Sequence, residues 1–145
     1  MRASARHRCA VTQLVHTIPL SELVNVLLVE DDRSLSELMT IVFRDEGFAV
    51  RHAATAGEAL RAVAAATPDV MVIDVTLPGD DGASLCRKVK SNQATAGIRC
   101  LMWSSVPNLA QVASAAHADA WLLKPTDLDV LVARINELAA GKGKI

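Results

Sequence analysis

The chain reads as an α/β protein: a doubly wound, five-stranded parallel sheet in the order 2-1-3-4-5, with helices on both faces. Three observations predict it. Short apolar runs alternate with helical segments five times in about 120 residues. The runs are continuous, as in strands buried on both sides. Acids, hydroxyls and a lysine stand just after them, where open α/β sheets keep their ligand crevice.

Taken in order, "VLLVE" (26–30) is the first strand. "RSLSELMTIVFRDEG" follows, with Leu35, Leu38, Met39, Val42 and Phe43 on one helical face and Gly47 as its stop. "FAVRH" (48–52) is the second strand, and "TAGEALRAVAAAT" is a helix whose Thr55 and Glu58 have capping-box spacing. Pro68 ends that helix before the third strand, "VMVID". "ASLCRKVKS" (83–91) is a short helix, "IRCLMW" (98–103) the fourth strand, and "PNLAQVASAAH" a helix with Pro107 in its first turn. "AWLL" (120–123) is the fifth strand. The last helix starts after Thr126, places Leu128, Leu131, Ile135 and Leu138 on one face, and ends near Gly141. We therefore expect an N-terminal extension over 1–24, one domain over 25–140 and a tail over 141–145.

The 145 residues are 51% hydrophobic but only 3% aromatic, so the core must be mostly aliphatic. The formal net charge of −1 hides an asymmetry. Arg2, Arg6 and Arg8 stand in the head and Lys142 and Lys144 in the tail, which leaves residues 25–140 acidic. That argues against direct nucleic-acid binding, which needs a basic face. Cys9, Cys86 and Cys100 lack CxxC spacing, so neither a disulfide framework nor a zinc site is expected, and a reducing cytoplasm suits them. No apolar stretch approaches membrane-spanning length, and the head has no signal-peptide pattern.

The decisive stretch is "VMVIDVTLPGDDG" (70–82), in which a run built for burial drives into Asp74. With strands one and three adjacent, Glu30, Asp31 and Asp74 share one small volume. Three carboxylates repel unless protons or a cation relieve them, and hard oxygen ligands with room for water suit Mg²⁺. Ser104 and Ser105 follow strand four, and Lys124 with Pro125 follows strand five. A carboxylate beside a metal site, an ammonium and a hydroxyl is a reasonable phosphoryl acceptor. Asp32 reads more simply as a helix N-cap, and Trp103 as core.

In these residues the chain resembles the receiver domain of two-component response regulators, the CheY-like family, over roughly residues 25–140. The matching pieces are "VLLVEDD", "VMVIDVTLPGDDG", "CLMWSS" and "ADAWLLKP", with Pro78 four and Gly82 eight residues after Asp74. The resemblance implies that Asp74 is the phosphoacceptor, with Asp31 a direct Mg²⁺ (or Mn²⁺) ligand and Glu30 holding the ion through water. The Thr76 backbone carbonyl would be a further ligand. Ser104 would be the switch hydroxyl, Trp121 the switch aromatic, and Lys124 the phosphate partner before a cis Pro125. His117 stands where relatives usually carry Gly, a residue favoured at positive φ; it reads as a loop residue.

Two departures stand out. The segment from Ser104 to Lys124 is about two residues shorter than the resemblance leads one to expect, which trims the fourth helix or its preceding loop on the output face. Thr76 and Val106 offer no acid or amide to orient water, so slow self-dephosphorylation is expected. The function implied is a stand-alone receiver rather than a turnover enzyme. It would be phosphorylated by a histidine kinase or phosphotransfer protein and act on a downstream protein, with phosphorylation-dependent dimerisation left open. The alternatives are an unphosphorylated pseudo-receiver that only binds, and, more remotely, a metal-dependent phosphatase.

Overall fold

A computed structural model describes Pro19 and residues 22–142. Most of the N-terminal extension, with Cys9, and the tail beyond residue 142 lie outside the described residues. The elements alternate as expected: β1 (Asn25–Val29), α1 (Arg33–Asp45), β2 (Ala49–Ala53), α2 (Ala56–Ala65), β3 (Val70–Ile73), α3 (Gly82–Ser91), β4 (Arg99–Ser104), α4 (Leu109–Ala115), β5 (Ala120–Leu123) and α5 (Leu128–Lys142). The strands form one parallel sheet in the order β2-β1-β3-β4-β5.

The continuous apolar runs are explained by two cores, one on each face. Leu27, Val29, Met71, Ile73, Cys100 and Met102 face α2, α3 and α4, where Ala59, Leu85, Val89 and Leu109 meet them. The alternate residues Val26, Leu28, Val70, Val72, Leu101 and Trp103 face α1 and α5, packing on Met39, Phe43, Leu131 and Ile135. Each fully buried Leu, Ile or Phe removes enough apolar surface from water to contribute about 1.5–3 kcal/mol. Cys86 and Cys100 are buried free thiols.

Local chemistry sets the helix ends. Asp32 caps α1, its side chain accepting from the Leu35 N–H. At the other end Gly47 adopts φ +95°. The Gly47 N–H donates to Arg44 O and the Phe48 N–H to Phe43 O, a Schellman arrangement. The Phe43 and Phe48 rings close it edge-to-face at 6.0 Å. Thr55 accepts from the Glu58 N–H, but Glu58 reaches back to the Ala54 N–H rather than to that of Thr55. His117 has φ 61°, the conformation its place in a glycine position suggested.

Three expectations are corrected. Leu38 is not part of the buried face of α1: it is 53% exposed, and Ser36 takes its place beside Met39 and Phe43. Ser36 can be buried because its hydroxyl donates to Arg33 O. Leu128 is also exposed, since the first turn of α5 projects past the core that Leu131 and Ile135 reach. The helix read from Pro107 to His117 contracts to Leu109–Ala115, and its N-cap Asn108 makes no side-chain capping bond.

Candidate functional site

The β1–β3 register pairs Val29 with Ile73, so Glu30 and Asp74 leave the sheet side by side. The ladder holds for one more step: the Asp74 N–H donates to Val29 O, and the Glu30 N–H donates to Ala53 O on the other side. Asp74 therefore has a strand's rigid backbone at its N–H and a loop beyond it. That loop returns tightly. Gly82 opens α3 against the Asp74 carbonyl, where an added Cβ would lie 1.9 Å from the Asp74 oxygen. Only glycine permits this approach.

Glu30, Asp31 and Asp74 each bring a carboxylate oxygen to within 4.8 Å of the others. Glu30 is buried, and both its oxygens are engaged. One accepts from Lys124 Nζ at 2.7 Å and the other from the Asp32 N–H at 3.0 Å. Asp31 is exposed, which leaves the cluster open to water on its side. Asp74 is 8% exposed. Its Oδ1 accepts from Ser104 Oγ at 2.8 Å and the Thr76 N–H at 3.0 Å, while Oδ2 faces Lys124 Nζ at 3.2 Å. Lys124 is placed by β5, its N–H donating to Ser104 O where the β4–β5 ladder ends.

Burial lifts the Glu30 carboxyl above the usual carboxylate range, and the Asp74 charge adds to this; the bond and charge of Lys124 and the Asp32 N–H offset it only in part. For Lys124, burial alone would lower its pKa, but Glu30 and Asp74 outweigh burial and hold it above the ordinary lysine value. The site thus sets one ammonium against three acids. An open cluster of hard oxygen donors with that charge deficit has the chemistry of a small divalent cation site.

The response regulator receiver domain family matches residues 26–136. The chain belongs to this family. Over 112 residues the receiver is 35% identical to the DNA-binding response regulator MtrA of Mycolicibacterium paratuberculosis, covering 76% of this chain and 48% of that one. Against the transcriptional regulatory protein CseB of Streptomyces avermitilis it is 36% identical over 118 residues, covering 80% of this chain and 49% of that one. The chain thus spans about half the length of these relatives. Among solved structures, a putative response regulator from Chloroflexus aurantiacus superposes with TM-score 0.77 at 32% identity, covering 82% of this chain and 99% of that one. A CheY-like receiver domain protein from Methanospirillum hungatei gives 0.78 at 27% identity, covering 83% and 97%.

Within the receiver, Glu30, Asp31, Asp74, Ser104 and Lys124 come together as the sequence placed them, and Thr76 meets Asp74 through its backbone N–H. Trp121 does not join them: it is 41% exposed on the edge strand β5, whereas Ser104 is buried and already turned toward Asp74. The Lys124–Pro125 bond is cis. Sequence reasoning missed Trp103, whose ring lies under Lys124 with Nζ 4.7 Å from its centroid. An aromatic one residue before the hydroxyl was the available signal. Among the described residues no helix is long and apolar enough to cross a membrane.

Proposed function

We propose that this receiver accepts a phosphoryl group on Asp74 from a phosphohistidine of a sensor histidine kinase or histidine phosphotransfer protein. It would then signal through phosphorylation-dependent contact with another protein. The surroundings of Asp74 carry the proposal: a strand-end carboxylate with Ser104 Oγ on one oxygen, Lys124 on the other and two further acids beside it. A carboxylate oxygen of Asp74 attacks phosphorus and the new P–O bond forms as the P–N bond breaks. Its electron pair goes to the leaving imidazole, which takes up a proton. Lys124 and Ser104 provide an ammonium and a hydroxyl donor for the phosphoryl oxygens. Mg²⁺ or Mn²⁺, held by Asp31, Asp74 and the Thr76 carbonyl with Glu30 acting through water, would neutralise charge between carboxylates and phosphoryl oxygens.

The output surface in this reading is the α4, β5 and α5 face, where Trp121 and Leu123 are exposed. With Ser104 already bonded to Asp74, movement of Trp121 rather than of Ser104 would report phosphorylation. MtrA is DNA-binding by its name; the acidic charge of residues 25–140 supports a protein partner here.

Intact-mass analysis after incubation with acetyl phosphate and Mg²⁺ tests the proposal. One phosphoryl addition is expected, absent in Asp74→Asn and absent with chelator. No addition to a folded, Mg²⁺-binding protein would favour a pseudo-receiver. Removal of acetyl phosphate should then reveal slow decay, because neither Thr76 nor Val106 carries an acid or amide to orient water. Rapid decay would contradict that part.

A further inference from the structure

Trp103 closes β4 one residue before Ser104 and is 4% exposed, packed among Leu28, Val72, Leu131 and Ile135. Packing alone asks for apolar bulk there, and an aliphatic side chain would supply it. The indole does two more things. Its face lies beneath the ammonium of Lys124, 4.7 Å from ring centroid to Nζ. Its N–H donates to Thr126 Oγ1 at 3.4 Å, and that hydroxyl in turn donates to Leu123 O. The ring thus contacts both sides of the Lys124–Pro125 step, from within the core.

A lysine stem is flexible, and its ammonium is a point charge without fixed direction. Glu30 and Asp74 attract it, but two ion pairs alone leave the direction of its approach open. An indole face beneath it sets that direction, because the ring quadrupole attracts a cation over the centre of the ring. Burial of Trp103 strengthens that attraction by keeping water from the contact.

We propose that Trp103 is a positioning residue for phosphoryl transfer, its indole face fixing Lys124 between Glu30 and Asp74. The role in transfer rests on the function proposed above; the fixing of Lys124 does not. Two variants separate the ring face from bulk: Trp103→Phe keeps a π face and loses the N–H, and Trp103→Met keeps apolar bulk without a π face. Both shrink the core and should lower Tm similarly.

The first readout is the NMR shift of the Lys124 ε-methylene protons in metal-free protein, which a ring beneath them moves upfield. Wild type and Trp103→Phe should show the upfield shift and Trp103→Met should not. The second is the rate of phosphorylation by acetyl phosphate with Mg²⁺, expected within about twofold of wild type for Trp103→Phe and about tenfold slower for Trp103→Met. A wild-type Lys124 without the upfield shift overturns the proposal whether or not either variant folds. Equal rates for wild type and Trp103→Met, or Trp103→Phe as slow as Trp103→Met, overturn it as well. A shifted Lys124 in a wild type that takes no phosphoryl group overturns the receiver function instead, and the NMR comparison then upholds the fixing of Lys124.

Discussion

Asp119 and Asp74 are both acids beside strand ends, and their partners separate their roles. Asp119, at the opposite end of the sheet, accepts from Lys90 Nζ at 2.9 Å, Arg99 Nη1 at 3.3 Å and the Cys100 N–H at 2.8 Å. Two cations more than balance its charge, so it has no excess negative charge to offer a further cation. Asp74 shares Lys124 with Glu30, and a third acid, Asp31, stands in the same cluster. Asp119→Ala should therefore cost about 2 kcal/mol, less than a fully buried pair because Arg99 is partly exposed. Urea denaturation would show this, while the folded fraction should phosphorylate at the wild-type rate; a cost below about 0.5 kcal/mol would mean that the three donors find other partners. Asp74 was legible in the sequence because a continuous apolar run ends in it. The Asp119 network was not, since Lys90 and Arg99 stand 29 and 20 residues away with no periodic relation to it. Trp103 was legible only as core, because what its ring face does depends on the Lys124 conformation, which no spacing encodes.

Two glycines show how differently single positions govern whole elements. Gly47 ends α1 at φ +95° with open space where a Cβ would go, so Gly47→Ala meets only backbone strain and should cost about 1 kcal/mol. Gly82 has an ordinary φ but no space, with the Asp74 carbonyl 1.9 Å from an added Cβ. Gly82→Ala must push α3 away from the end of β3 or shift Asp74 itself. We expect a loss of about 2–3 kcal/mol together with a phosphorylation defect that Gly47→Ala lacks. Thermal melts and acetyl phosphate time courses on the two variants check the contrast. The same comparison explains which element properties the sequence revealed. A glycine stop after a helical stripe is a local signal, and α1 ended where Gly47 placed it. Leu38 and Leu128 were misplaced because helical spacing names a face without saying how far the neighbouring sheet extends under it. The expected span of α4 overran at both ends: the observed start at Asn108 has no side-chain capping bond to mark it in sequence, and His117 at φ 61° stops the helix before it.

The whole molecule gathers like charge at the carboxyl end of its sheet, an arrangement legible from sequence only once the strand order is assumed. The order 2-1-3-4-5 makes neighbours of β1 and β3, and so brings Glu30 and Asp31 to Asp74 across more than forty residues. Such a cluster opposes folding: Glu30 is buried, burial and Asp74 both disfavour its charged form, and Lys124 only partly compensates. A binding site that strains its own fold should gain stability when a charge is removed and lose function with it. Asp31 is the residue on which to test this, because it is exposed, so its replacement leaves the core packing intact. In chelator, Asp31→Asn should melt about 2–5 °C above wild type. Adding Mg²⁺ should raise the wild-type Tm progressively, since an ion that binds only the folded state stabilises it by mass action. Asp31→Asn should respond weakly, so that at high Mg²⁺ the order of the two proteins reverses. Such a crossing would show that the acids are held together for the cation. If Asp31→Asn melted below wild type in chelator, the cluster would be stabilising in its own right and the charge deficit at Asp74 would need another explanation.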